Sequence, residues 1–176
     1  MKHAIEIAKE EGDRAEEGSA YGNLGLVYVL SKNFPYAIEC CKLQLSIAEE
    51  MKNLAQEIAA CTNLGRVYFS SGDPKTAMYY YERLLKIAET LEERNLKRVA
   101  YKGLGKGYYK NKDFKKSLDC YRLYLQISID VGDRENEKEA YFCLGQAYQC
   151  IGNVRKAIEC HELHLTFATE LNDRVG

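Results

Sequence analysis

Tyr21-Gly-Asn-Leu-Gly-Leu-Val-Tyr28 returns three times along the chain. It comes back as Cys61-Thr-Asn-Leu-Gly-Arg-Val-Tyr68, Tyr101-Lys-Gly-Leu-Gly-Lys-Gly-Tyr108 and Tyr141-Phe-Cys-Leu-Gly-Gln-Ala-Tyr148. The central glycines are Gly25, Gly65, Gly105 and Gly145, so the period is 40 residues without slippage. A fixed period of this size marks a stacked-repeat architecture, in which each unit buries its apolar face against its neighbours.

Around each copy the apolar and small residues recur at three and four, the spacing of one helix face. First helices are predicted at 15–31, 55–71, 95–111 and 135–151, with Ala20, Ala60, Ala100 and Ala140 beside the glycines. Mid-helix glycine costs about 1 kcal/mol against alanine, so its four-fold use predicts close helix contact. Second helices are predicted at 34–51, 74–92, 114–131 and 154–171. Asn33, Asp73, Asp113 and Asn153 precede them and are good N-cap types, and Pro35 and Pro74 fall in first turns. Ala37, Ala77, Ser117 and Ala157 are the small residues near their starts, and Phe34, Phe114 and Val154 are expected to pack at the turns. Short connections predict antiparallel neighbours.

Residues 1–12, with Ala4, Ile5 and Ala8 on one side, share the register of the second helices. The turn Gly12-Asp13-Arg14 recurs as Gly132-Asp133-Arg134 and Asn172-Asp173-Arg174. The expected organisation is therefore one array over 1–176: a partial repeat at 1–14, then repeats at 15–54, 55–94, 95–134 and 135–176. The last helix carries Leu165, Phe167, Ala168 and Leu171 on a face that inner repeats cover, which predicts a piece of a longer array.

Composition suits a folded, non-membrane chain: 46% of residues are hydrophobic, 29% are charged and the net charge is −1. No apolar run reaches the ~18–20 residues of a membrane span, and the amphipathic start lacks the core of a secretory leader. Seven cysteines, at 40, 41, 61, 120, 143, 150 and 160, include no Cys-x-x-Cys pair. They read as free core thiols and predict a cytoplasmic, reducing location.

The order aromatic, Leu-Gly, Tyr, then a polar turn and Ala resembles the tetratricopeptide repeat. The common unit of that family is about 34 residues. Six more residues are about 1.7 helical turns, so both helices are longer here. The long form, with Asn-Leu-Gly in the first helix and Gly-Asp-Arg between repeats, resembles the group that holds the G-protein-signalling modulators Pins and LGN and the multi-repeat tetratricopeptide repeat protein twenty-eight. The resemblance implies an all-α, right-handed superhelical solenoid of antiparallel helix pairs, with first helices on the concave face. It also implies an extended peptide held there by asparagines, here Asn23 and Asn63; Gly103 and Cys143 replace them in the later repeats. The segments with which that group binds Gα are not in this sequence. The carboxylate clamp of chaperone-binding relatives would fall on Gly22, Leu26, Asn63, Val99 and Gly103, of which only Asn63 fits.

Arg98, Lys102, Lys106 and Lys110 form a stripe at four-residue spacing, and like charges so placed repel by a few tenths of a kcal/mol per pair (about 0.2–0.5). Arg66 is expected nearby. This reads as a basic floor for an acidic segment of another protein, with Leu26, Val29, Phe69, Tyr109 and Phe142 as apolar neighbours. The plainer reading is a solvated face balanced by acids such as Glu135 or Glu137. The expected peptide-binding set is Asn23, Leu26, Asn63, Arg66, Phe69, Lys102, Lys106, Tyr109, Lys110 and Phe142. Residues 94–116 hold nine Lys/Arg and one acid, which makes an RNA contact the lesser alternative. Cys160, His161 and His164 lack a fourth ligand at a zinc spacing. No catalytic motif or phosphate-cradling loop is present. The sequence predicts a non-catalytic scaffold without cofactor, small-molecule substrate or membrane partner, or else a self-associating structural segment.

Overall fold

The computed structural model describes residues 2–173, and among them regular structure is entirely α-helical. The helices are α1 (Lys2–Glu11), α2 (Arg14–Leu30), α3 (Phe34–Glu50), α4 (Leu54–Ser70), α5 (Pro74–Thr90), α6 (Arg94–Lys110), α7 (Phe114–Asp130), α8 (Arg134–Cys150) and α9 (Val154–Asp173). The chain divides inside α5 into two compact units, Met1–Ile87 and Ala88–Gly176. None of the described helices is long and apolar enough to cross a membrane.

The 40-residue period contains a finer beat of 20. From α2 to α8 each helix has 17 residues. A three-residue turn follows, and its middle residue has positive φ: Lys32, Lys52, Gly72, Glu92, Lys112, Gly132 and Gly152, as has Gly12 in the two-residue turn after α1. This is the left-handed helix stop. The next residue donates its N–H to the carbonyl five residues back, as Asn33 does to Tyr28 at 2.8 Å and Asp113 to Tyr108 at 3.0 Å. That same residue then caps the following helix. Asp13, Asn53, Asp73, Asp113, Asp133 and Asn153 each accept the backbone N–H three residues on. Turns between repeats and turns within them are thus built alike. Asn33 corrects the expectation: its side chain makes no capping bond, and neither does that of Glu93.

The central glycines are contact points. A Cβ on Gly25 would stand 2.7 Å from Cys41 Sγ, on Gly65 2.7 Å from the Tyr81 ring, on Gly105 2.5 Å from the Tyr121 ring and on Gly145 2.6 Å from the His161 ring. In each repeat the side chain sixteen positions later lies against the glycine. Along α2, Gly18, Gly22 and Gly25 face Ile47, Gln44 and Cys41 in turn, which fixes α2 and α3 as antiparallel.

In the first unit α1 packs on α2, α2 on α3, and α3 on α4. Ala37, Cys41, Ala48, Ala60, Cys61, Leu64 and Val67 are wholly buried there. In the second unit α6 packs on α7, α7 on α8, and α8 on α9, around Leu118, Tyr121, Tyr124, Leu144 and Tyr148. Tyr109 and Phe114 meet edge to face at the α6–α7 turn, as expected of Phe114. Val154 does not follow suit and is 64% exposed. The expected turn at Asn172-Asp173 is absent, because α9 runs through both residues. Arg174 and the side chains of Ala4 and Leu171 lie outside the described residues.

Candidate functional site

The first unit holds a groove of about 460 Å³ between α2 and α4, floored by α3. Asn23 and Leu26 of α2 and Asn63 of α4 line it, so three of the expected binding residues come together. Ser19 and Gly22 join them, and the side chains sequence reasoning missed are Gln44, Gln56 and Asn53. Two glycines make room for two of them. The Gln44 carboxamide lies against Gly22, where a Cβ would meet its three end atoms at 2.5–2.7 Å. The Gln56 carboxamide lies against Gly18 in the same way. Gln44 is buried, and its Oε1 accepts from Asn63 Nδ2 at 3.2 Å. Gln56 Nε2 donates to the Ala15 carbonyl at 2.6 Å and to Ser19 Oγ at 3.3 Å. The one signal for Gln44 in the sequence was a polar residue in a register that elsewhere holds Leu84, Tyr124 and His164.

In the second unit the basic stripe of α6 meets acids of α8. Lys102 and Lys106 both donate to Glu139, Lys106 at 3.0 Å, and Arg98 pairs with Asp133. The answering carboxylates are therefore Glu139 and Asp133, which corrects the choice of Glu135 or Glu137. Those two pair locally, with Lys138 at 2.6 Å and Arg134 at 3.2 Å. Burial pushes the Glu139 carboxyl up, but its two ammonium partners outweigh this and hold it below the usual range. Asp133 is likewise raised by burial and lowered further by Arg98 and by the Asn136 N–H, to about 2. Tyr124 lies beneath, fully buried, its hydroxyl donating to Asn136 Oδ1 at 2.7 Å. Burial pushes its phenol far up.

The remaining expected residues are dispersed. Lys110 is exposed and makes no ion pair among the described residues. Tyr109 Oη lies 3.4 Å from Cys150 Sγ. Phe142 borders a second cavity of about 390 Å³ with Glu139 and His164, its ring 5.2 Å from that of His164. Arg66 is exposed on α4 and Phe69 half-buried, and neither lines the α2–α4 groove. His161 lies on Gly145, and His164 Nδ1 is 3.1 Å from the Lys138 carbonyl. No three metal-ligand side chains converge among the described residues.

All seven cysteines are free. Burial pushes the thiols of Cys61, Cys120 and Cys143 up to about 11 and that of Cys41 to about 12. Cys150 is not a core thiol but an exposed one.

Two family profiles, both described as tetratricopeptide repeat, match residues 16–90 and 140–175 and together span more than half of the chain. Among curated proteins no sequence matches. Several solved structures share the fold. BtubC (BKLC) from P. vanneervenii superposes with a TM-score of 0.82 at 20% identity, over 91% of this chain and 66% of that one. RapI in its apo form gives 0.87 at 17% identity, over 96% and 63%. The putative kinesin light chain nearly identical TPR-like repeats from Podosopora anserina give 0.80 at 15% identity, over 98% and 85%. The chain thus spans slightly less than two thirds of the BtubC and RapI chains. At these identities the likeness establishes the fold.

Proposed function

We infer that this chain, which belongs to the tetratricopeptide repeat family, works as a non-catalytic scaffold that binds an extended segment of another protein. The observation that carries this reading is the α2–α4 groove, where Asn23 and Asn63 stand among further uncharged polar side chains. An extended segment has unpaired backbone N–H and C=O groups, and side-chain amides can donate to one and accept from the other. A disordered segment meets that need at the cost of its own ordering.

The acidic preference rests on the second unit. Four cations of α6 face two carboxylates, Glu139 of α8 and Asp133 at its N-cap, so positive charge is in excess and Lys110 is available. Glu139 already holds Lys102 and Lys106, so a ligand carboxylate shares those ammonium groups with it. Local pairing also makes RNA the weaker ligand for this face. The buried free thiols suit a reducing compartment such as the cytoplasm.

The test is selection from a displayed peptide library, followed by titration of the selected peptide. Asn63→Ala and Asn23→Ala should each weaken binding several-fold, and Lys110→Glu should weaken acidic peptides alone. Unchanged affinity in all three variants removes the reading.

A second reading has its own support. Val154, Ile158 and Leu165 of α9 are 64%, 52% and 64% exposed, whereas Leu118 and Leu45, in the registers of Ile158 and Leu165, are buried. Such a face favours packing against a further helix, from a longer array or a second copy. Light scattering across concentration separates the two: a monomer at all concentrations excludes self-association.

A further inference from the structure

We propose that Gln44 and Asn63 form a subsite that reads an uncharged primary carboxamide, the Asn or Gln side chain of the bound segment. This rests on the reading of the α2–α4 groove as a peptide site. Gln44 comes from α3, the layer behind the groove, and only 4% of it is exposed. It reaches the groove across Gly22, where a side chain of any size would collide with it.

Asn63 Nδ2 donates to Gln44 Oε1 at 3.2 Å. Among the described residues that is the sole hydrogen bond of either side chain, so Gln44 Nε2 and Asn63 Oδ1 have no protein partner. Two carboxamides joined by one hydrogen bond leave the whole NH₂ group of one, Gln44, and the whole carbonyl oxygen of the other, Asn63, without a protein partner. Turning both amides over exchanges their roles and leaves the same complement.

A primary carboxamide matches this complement with a single edge. Its oxygen accepts from one partner while its N–H on the same side donates to the other. A trans peptide unit cannot do so, because its N–H and C=O point in opposite directions. A carboxylate brings no donor, and an ammonium brings no acceptor. Charge is excluded on a second ground: the ten lining residues include no ionisable side chain to answer it. An apolar side chain that closes the groove over the Gln44 donor takes it from solvent and gives it no partner, which penalises that ligand as well.

The experiment uses the full chain, ¹⁵N-labelled, and four pentapeptides Ala-Ala-X-Ala-Ala with X as Asn, Gln, Asp or Leu. All carry acetyl and N-methylamide ends, so no terminal group is a primary carboxamide. The Asn or Gln peptide should bind at least about tenfold tighter than the Asp and Leu peptides and should shift the side-chain NH₂ resonances of Gln44 and Asn63. Gln44→Met, checked for native helicity, should erase the preference and leave the affinity of the Leu peptide in place. Equal binding of all four peptides, or preference for Asp or Leu, overturns the subsite while the groove reading stands. If no peptide shifts any α2 or α4 resonance, both fall.

Discussion

Replacing Gly65 by alanine tests whether the repeated glycine is there for contact. The added Cβ would lie 2.7, 2.8 and 2.9 Å from Cζ, Cε1 and Cε2 of Tyr81. Comfortable carbon contacts are about 3.5–4.0 Å, so the ring must retreat by roughly 1 Å. Tyr81 is only 6% exposed and the adjoining Leu64 is wholly buried, which leaves little room for that retreat. Overpacking of this kind costs about 1–3 kcal/mol. Alanine in mid-helix returns about 1 kcal/mol over glycine, so Gly65→Ala should lose about 0–2 kcal/mol. In a Tyr81→Ala background the obstacle is gone, and the same substitution should stabilise by about 1 kcal/mol. Urea unfolding of the four proteins of the cycle, read as midpoints at a common slope, measures the coupling, expected at about 1–3 kcal/mol. A gain of about 1 kcal/mol in both backgrounds would show that Gly65 is not a contact glycine and would refute the packing argument.

Other consequences follow from the turns, charges and thiols. Lys52 and Lys112 hold φ of +52° and +61°, a conformation that glycine adopts freely, so Lys112→Gly should raise stability by up to about 1 kcal/mol in thermal unfolding. Asp113→Ala should cost about 1 kcal/mol by removing a helix cap, whereas Asn33→Ala, whose side chain caps nothing, should cost little in the same assay. Asp133 is held at about 2 in the fold, below its value in the unfolded chain. Its contribution is complete above about pH 4 and is lost as pH falls towards 2. Asp133→Asn should therefore flatten the acid limb of a stability–pH profile. Cys150 should react with iodoacetamide in the native state well ahead of Cys41, Cys61 and Cys143, whose burial suppresses the thiolate; peptide mapping by mass spectrometry reads the order.

The helices were legible in the sequence to within about two residues, because apolar spacing and punctuation agreed at every turn. Ala, Leu-Gly and Tyr announce a face that only close neighbours can cover. The 20-residue beat was harder to read, because its turn uses Gly at four stops and Lys or Glu at the others. Backbone geometry, not residue type, is what repeats there. Asn33 shows the limit of residue type in another way: a good capping side chain caps nothing at its site. Partner choice among charges was less legible still. Glu135, Glu137 and Glu139 lie within about one helical turn of each other, and Glu139 pairs with the cations of α6 while the others close ion pairs with Lys138 and Arg134. Gln44 escaped notice because it lies on a second helix. Its role depends on Gly22 of the neighbouring helix α2, a relation that no spacing within one helix reveals.

Paramagnetic broadening by a spin-labelled, selected peptide tests the account most directly. Binding in the α2–α4 groove should broaden the resonances of Asn23, Gln56 and Asn63 and spare Lys42 and Leu43 on the exposed side of α3. Broadening centred on Lys42 and Leu43, with Asn23 and Asn63 untouched, would contradict it.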